Sequence, residues 1–194
     1  TNQTQYYLSG SFNSDNGILN GPQLNYKSFS FQGNVTTNIN KNLKVVYQSQ
    51  LSWNTRTGYP ENTNQNFFQK GLSAERYYPW TVLDNPLHWT NNPGTEGRNP
   101  IAALKGESGY DITQQTAFNN SLNATYSAPF LKGLKIQGQL SYDFQSRQTR
   151  ILTLSYPLYD PWTDEHVADN KDENTYEEAW DKRQTLYGKV QINY

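Results

Sequence analysis

The chain has 194 residues, a formal net charge of −1, and no cysteine or methionine. The near-zero charge gives no basic field to attract nucleic acid, and the absence of cysteine excludes disulfides, thiolate metal sites and cysteine nucleophiles. Hydrophobic residues make up only 34% of the chain, too few for a conventional globular core, and no apolar run approaches the roughly twenty residues of a transmembrane helix.

The first part of the chain contains three segments in which apolar and polar residues alternate with a period of two. This alternation is typical of a β-strand with one apolar face and predicts strands at 5–13, 24–39 and 43–54. The second and third strands are joined by a short polar turn around Asn40. They are longer than the five or six residues usual in soluble sheets and reach the roughly nine to eleven residues that cross a bilayer.

The alternation stops in 55–112, where glycine, proline, asparagine and aromatic residues dominate, and this stretch is predicted to be one very long loop. It returns in predicted strands at 113–126, 134–147 and 182–194, with a second long loop at 148–181. Loops beyond roughly fifteen residues are uncommon in compact domains and are usually functional.

Short and long connections alternate along the chain, so the short turns collect at one end of the strands and the long loops at the other. Outer-membrane barrels arrange their periplasmic turns and extracellular loops in this way, and the 14% aromatic content suits their girdles. We therefore predict an all-β fold, a section of an antiparallel transmembrane β-barrel with about six long strands. Six strands cannot close such a barrel, and an open edge is not tolerated in lipid. Residues 1–194 are thus predicted to be part of a larger barrel, and we interpret the non-methionine start at Thr1 in the same sense.

The segments 26–35 and 39–45, with Asn99-Pro100, 130–136 and 141–143, resemble in order and spacing the SusC-like TonB-dependent outer-membrane transporters of Bacteroidota. The resemblance implies a 22-stranded barrel in the outer-membrane lipid, enclosing a plug domain that is not in this chain. It also implies a SusD-like surface lipoprotein as a lid, glycan or peptide cargo, and coupling to TonB through a region not present here.

Aromatic side chains in the first long loop are the candidates for contact with cargo or with the lid. Their ring faces suit sugar C–H surfaces and apolar peptide side chains, although they could equally form a small core of the loop itself. The candidates are Tyr59, Phe67, Phe68, Tyr77, Tyr78, Trp80, His88 and Trp89. On the polar side of the strands, Arg56, Asp143 and Arg147 are predicted to face the lumen, where they could contact cargo, the plug or one another.

The second long loop is acidic, which raises the question of a calcium site. Its carboxylates do not match the spacing of an EF-hand with its central glycine, so a solvated loop facing a partner is the favoured interpretation. The residues concerned are Asp160, Asp164, Glu165, Asp169, Asp172, Glu173, Glu177 and Glu178.

With only two histidines, His88 and His166, and no Gly-x-Ser-x-Gly motif, a hydrolytic triad has little support. No enzyme, metal or cofactor is predicted. Two alternatives stay open beside the importer: a passive porin or adhesion barrel, and a soluble carbohydrate-binding β-sandwich.

Overall fold

The computed structural model describes residues 4–17, 24–60, 69, 71–95, 98–131 and 133–194. Within these residues the strands are β1 (Thr4–Asp15), β2 (Asn25–Asn38), β3 (Leu43–Gly58), β4 (Thr81–Val82), β5 (Asn85–Thr90), β6 (Gly109–Ser127), β7 (Lys135–Thr153), β8 (Pro157–Tyr159), β9 (His166–Asp169) and β10 (Thr175–Asn193). A short helix, α1, spans Pro100–Lys105, and a 3-10 turn spans Pro93–Thr95. No helix in this part of the chain has the length and apolar character needed to cross a membrane.

Six long strands form one antiparallel sheet in the order β1-β2-β3-β6-β7-β10, which confirms the prediction of an all-β fold. The pairing is continuous, so rows of residues cross the sheet from edge to edge. One such row, read from β1 to β10, is Tyr6, Val35, Tyr47, Leu122, Leu140 and Gly188. Within the described residues the sheet is open, and β1 and β10 are its two edges.

The two faces of this sheet differ sharply in chemistry. Among the described residues of the six strands, twenty large hydrophobic side chains are exposed, and the register places seventeen of them on one face. Only Tyr7, Tyr26 and Tyr187 lie on the other. We call these the apolar face and the polar face. An exposed apolar surface of this extent is not expected to remain bare in water.

The apolar residues form a band across the sheet whose limit toward the long-connection end shifts from one edge of the sheet to the other. Its limit toward the short turns stays in one row, which contains Leu43, Tyr126, Ile136 and Ile192. In β1 the band runs from Tyr6 to Phe12, whereas in β10 it runs from Leu186 to Ile192. The row that contains Phe12 reaches Lys182 in β10, four residues before the band begins there. The limit toward the long-connection end thus shifts by four residues across five strand spacings, and Tyr176 and Trp180 also lie on this face of β10, beyond Lys182.

The turns at the short-connection end are tightly built. The Asn40 side chain accepts hydrogen bonds from the backbone N–H groups of Asn42 and Leu43, both at 2.9 Å. The N–H of Ser127 donates to the carbonyl of Asn42 at 2.8 Å, which ties the β2–β3 turn to the end of β6. These local bonds fix the register of the hairpins at this end.

At the long-connection end, the strands extend further than the alternation predicted. β3 ends at Gly58 instead of 54, β6 begins at Gly109 instead of 113, β7 ends at Thr153 instead of 147, and β10 begins at Thr175 instead of 182. The prediction missed these extensions because the apolar residues there do not keep to one face without interruption. Ile151 and Leu152 are adjacent in β7, and Glu178 lies between Tyr176 and Trp180 on one face of β10. The ladder itself continues, as the pairs Gly58–Asp111 and Thr153–Thr175 show.

The prediction that 55–112 and 148–181 are irregular loops is also corrected. The two segments contribute to a second sheet with the order β4-β5-β8-β9, in which β5 and β8 are parallel. The helix α1 packs beside it, and the small core consists of Ala102, Tyr156 and Leu158 with Trp89 against them. We call β4, β5, α1, β8 and β9, with the segments between them, the cap module.

Candidate functional site: the cap module

Asn99 holds the cap module together through its side-chain amide. Its Oδ1 accepts from the N–H groups of Ile101 and Ala102, both at 3.1 Å, which caps the first turn of α1. Its Nδ2 donates to the carbonyls of Trp80 at 2.7 Å and Thr90 at 3.1 Å. The side chain is fully buried, so this one residue satisfies buried polar groups on three separate segments.

The backbone of Asn99 is tied to the second loop segment as well. Its N–H donates to the Tyr156 hydroxyl at 3.1 Å, and that hydroxyl lies 3.3 Å from the Asn99 carbonyl oxygen. Tyr156 is itself buried. The bonds join positions 57 residues apart in the chain, so the two long segments form one folded unit.

A second buried side-chain amide, that of Asn92, fixes the conformation of the segment that precedes α1. Asn92 Oδ1 accepts from the N–H groups of Glu75 and Gly94, each at 3.1 Å, while its Nδ2 donates to the Glu75 carbonyl at 3.2 Å. The Thr95 hydroxyl donates to the Asn92 carbonyl at 2.7 Å. Buried polar groups that are satisfied in this way give a loop a single conformation.

Three rings line up across β5, β8 and β9. His88 and Tyr159 are stacked with ring centroids 3.9 Å apart, and Tyr159 meets His166 edge to face at 5.8 Å. Each histidine also contacts a carboxylate: His88 Nδ1 lies 2.6 Å from Asp164, and His166 Nε2 lies 3.0 Å from Asp169.

Asp164 lies at the centre of a contact between the two long segments, which we call the clasp and which consists of Asn85, His88, Tyr159 and Asp164. Asn85 Nδ2 donates to its other carboxylate oxygen at 3.2 Å. Because a carboxylate only accepts, His88 Nδ1 carries the proton and donates to Asp164, and the Asn85 amide therefore bonds the carboxylate and not the ring. The residue has a positive φ of 58°, a conformation that aspartate tolerates better than most residues.

A turn stabilised by Asp160 presents Trp162 at the surface. Asp160 Oδ1 accepts from the N–H groups of Trp162 at 2.9 Å and Thr163 at 3.0 Å. Tyr78 packs edge to face against the Trp162 ring at 5.1 Å. Trp162 is still 60% exposed and Tyr77, next to Tyr78, is 78% exposed, so the module offers free aromatic surface on its outer side.

Hydrogen bonds and burial shift several ionisation equilibria in the module. The pKa of Asp164 is lowered, chiefly by the hydrogen bond from His88 and then by that from Asn85. The pKa of Asp160 is lowered by the backbone N–H groups of Trp162 and Thr163. Burial raises the pKa of Tyr59 and that of Tyr78, where Asp160 and Glu75 add to the effect.

The aromatic candidates of the first segment differ in their contacts and in their exposure. Trp89 packs on the cap core, His88 is stacked in the clasp, Tyr78 contacts Trp162, and Tyr59 and Trp80 are partly buried. Tyr77 alone among the described candidates is strongly exposed. Phe67 and Phe68 lie outside the described residues. The candidates therefore supply mostly internal contacts and only in part a free surface.

The three candidates for the lumen, Arg56, Asp143 and Arg147, all lie on the polar face. Arg147 lines a shallow polar groove of about 360 Å³. Across β10, Asp181 and Arg183 line the same groove. Arg147 and Asp181 are cross-strand partners, so a polar ligand at this position would meet both charge signs.

The residues that sequence reasoning missed belong mainly to the second segment. Tyr156, Tyr159, Trp162 and His166 follow one another at short spacing in the sequence, and this aromatic run was the available signal. Asn99 gave no signal of its role, because an asparagine before a proline is equally typical of an ordinary turn.

Among the acidic candidates of this segment, Asp160, Asp164 and Asp169 accept local hydrogen bonds. No group of three histidine, aspartate or glutamate side chains in the described ranges is arranged to hold a metal ion. Glu177 and Glu178, predicted in the loop, lie in β10.

No protein-family model matches the chain, and a search of curated proteins finds no significant match. The assignment to SusC-like transporters therefore stays a prediction that depends on the residues quoted for it.

Asn99→Ala should unfold the cap module while leaving the six-strand sheet intact. The substitution removes four hydrogen bonds from the N–H groups of Ile101 and Ala102 and from the carbonyls of Trp80 and Thr90, at about 1–3 kcal/mol for each group left unpaired before relaxation. The Trp80 carbonyl keeps its bond from the Thr90 N–H. We expect the free energy of local unfolding to fall by about 3–5 kcal/mol. Hydrogen exchange should accelerate at 80–105 and not at 115–125. Asn91→Ala, which removes a neighbouring amide that makes no side-chain hydrogen bond in the described structure, is the control; equal effects of both variants would contradict the role of Asn99.

The clasp between the two segments should open in acid. The pKa of Asp164 is lower in the folded chain than its ordinary value of about 3.9, so its stabilising effect is complete above that pH and is lost as the pH falls through the lowered value. Nuclear magnetic resonance of the His88 ring should show the contact with Tyr159 at pH 5 to 6 and its progressive loss as the pH falls below about 3.9 and through the lowered pKa of Asp164. Asp164→Ala should show the open spectrum at every pH. A wild-type contact that persists unchanged well below pH 3 would contradict the prediction.

Proposed function

We propose that this chain is a section of the wall of an outer-membrane β-barrel, with the cap module exposed on the cell surface. The barrel belongs to an importer of glycans or peptides of the SusC-like, TonB-dependent type. In this proposal a plug domain, a SusD-like lid and TonB are partners of the whole protein, and the apolar face contacts lipid.

The exposed apolar face, with seventeen large hydrophobic side chains, is the observation that carries the membrane part of the proposal. A membrane requires the apolar surface to lie in one plane, and strands that cross it at a tilt meet that plane at successively shifted residues. The limit of the apolar band toward the long-connection end shifts in this way, by four residues from β1 to β10, whereas its opposite limit does not.

The height of the band agrees with this. In β3 the apolar face runs from Leu43 to Trp53, which is roughly 33 Å along the strand. Tilted at 30 to 40°, it spans roughly the 25 Å of a barrel's apolar belt. Phe12, Phe29 and Trp53 lie in one row at its upper margin, where interfacial aromatic residues are expected.

The one amide in the middle of the band has an internal partner. Asn120 lies on the apolar face between Ser49 and Tyr142, and its Oδ1 accepts from the Tyr47 hydroxyl at 2.8 Å. In lipid an unpaired polar group is costly because no water can replace its partner. The hydrogen bond between Tyr47 and Asn120 is therefore consistent with a lipid environment for the apolar face.

The polar face has the chemistry of a lumen wall. From the row of Asn13 to the row of Gln5, β1, β2, β3 and β6 provide twenty positions on this face, and none is charged. All except Tyr7, Val46 and Ala117 are serine, threonine, asparagine or glutamine. This four-strand part of the wall can exchange hydrogen bonds with water or a polar cargo. The charged side chains of the face in these rows lie in β7 and β10: Asp143, Arg147, Asp181, Arg183 and Lys189.

A charge placed in the middle of the band tests the membrane assignment. Leu140 lies at the centre of the apolar residues of β7, and the adjacent Gln139 lies on the polar face. Leu140→Arg should lower the free energy of unfolding in lipid vesicles by about 2–4 kcal/mol, whereas Gln139→Arg should have a much smaller effect. Equal losses in the two variants would refute the assignment.

The exposed rings of the cap test the import function. In the whole protein, Tyr77→Ala combined with Trp162→Ala should reduce cargo affinity or lid association at least about tenfold, because exposed aromatic anchors each contribute about 1–2 kcal/mol. The control is Asp172→Ala with Glu173→Ala, two exposed positions of the same module. Normal uptake and normal lid binding in the aromatic variant, with the barrel assembled, would favour a passive porin instead.

A further inference from the structure

The shallow groove on the polar face carries three charged side chains close together. Arg147 of β7 and Asp181 of β10 are cross-strand partners, and Arg183 lies two residues beyond Asp181 on the same face of β10. Cross-strand partners have Cβ atoms roughly 5 Å apart, and positions two residues apart on one strand are separated by roughly 7 Å. The groove therefore presents two guanidinium groups beside one carboxylate.

The three charged groups of the groove do not pair with one another. Among the described residues, no ion pair or hydrogen bond joins Arg147, Asp181 or Arg183 to another side chain, and the ion pairs that are formed involve His88 and His166. All three groove side chains are exposed. Both signs of charge are thus available to a ligand at this position.

Neutral amide side chains line much of the remaining groove surface. They are Asn54, Gln115 and Gln145, one from each of β3, β6 and β7. Each of these side chains offers N–H donors and a carbonyl acceptor, which are the partners that the C=O and N–H groups of a peptide bond require. The groove volume of about 360 Å³ lies within the range of small-ligand sites.

The charges of the groove distinguish between the two classes of cargo named above. A neutral glycan lying there would displace water from three charged groups and supply no opposite charge, which is unfavourable. A short peptide has an ammonium group at one end and a carboxylate at the other. Two or three extended residues span roughly 7–10 Å, a length that the long arginine side chains can match from either strand.

We propose that this groove binds the charged ends of a short peptide. Arg147 and Arg183 hold the terminal carboxylate, Asp181 holds the terminal ammonium group, and the amides bond the peptide groups between them. Arginine can bind a carboxylate through two parallel N–H donors, and such charge-assisted bonds are stronger than neutral ones. This assignment rests on the proposed import function, because the groove meets cargo only if the polar face lines the lumen, and it selects peptides as the cargo class.

Isothermal titration calorimetry of the whole importer in detergent tests the proposal with four probes. They are trialanine with free ends, trialanine with acetylated and amidated ends, the neutral sugar maltotriose, and trigalacturonic acid, which has carboxylates but no ammonium group. The test variants are Arg147→Gln combined with Arg183→Gln, and Asp181→Asn. The control, Lys44→Gln combined with Lys189→Gln, removes two positive charges from the same face outside the groove.

Trialanine with free ends should bind the wild-type importer at least about tenfold more tightly than each of the other probes, and each test variant should weaken its binding at least about tenfold. The lysine control should bind it normally. Equal affinity for free and blocked trialanine, unchanged affinity in both test variants, or an equal loss in the control would overturn the proposal. Trigalacturonic acid bound as tightly as trialanine and unaffected by Asp181→Asn would also overturn it, because the groove would then be a site for carboxylates alone.

Growth of cells with and without the importer separates this proposal from the import function itself. The nutrients are a casein digest and a mixture of neutral plant oligosaccharides, and importer-dependent growth is expected on the digest, slowed by the combined arginine substitutions. Importer-dependent growth on the oligosaccharides alone would overturn the peptide assignment and leave the import function standing. Growth that depends on the importer with neither nutrient, although the barrel is assembled, would overturn both.

Discussion

The uninterrupted antiparallel ladder from β1 to β10 is the constraint on which the other features depend. Because side chains alternate between faces with a period of two, a slip of one residue in any strand would move its apolar residues to the polar face. The register avoids this in every pair, and seventeen exposed hydrophobic side chains share one face as a result. The tight turns at Asn40 and before Leu134 set that register locally, and pairing along the strands carries it to the other end.

The cap module is a consequence of the ladder continuing beyond the apolar band. Extension of β3, β6, β7 and β10 brings the ends of both long segments together, which allows β5 to pair with β8 in parallel. Gly109 permits the close approach at one such junction: its φ is 97°, and a Cβ there would lie 2.0 Å from the Leu152 carbonyl oxygen. The cap then has a single conformation because buried amides, Asn99 and Asn92, satisfy the backbone of segments that have few apolar contacts.

The two ends of the sheet differ both in structure and in charge. One end has short turns, lysines and exposed apolar side chains at the turns. The other end has a folded module and buried amides, and it carries all the acidic residues that do not lie in the middle of a strand. If the sheet crosses a membrane as proposed, this polarity gives each leaflet and each compartment a distinct surface. The module then provides recognition on one side of the membrane.

The sequence by itself determined the six strands and the faces of their side chains, because period-two alternation is a local property that any six or seven residues reveal. It placed Arg56, Asp143 and Arg147 on the polar face for the same reason. Only the tertiary structure decided where the strands end at the long-connection end, since apolar and charged residues are mixed on the faces there and the alternation is interrupted. It alone also decided that His88 stacks on Tyr159 and bonds Asp164, and that Asn99 reaches Tyr156. Those contacts join residues more than fifty positions apart in the chain, and a local pattern of hydrophobicity cannot predict contacts between such distant positions.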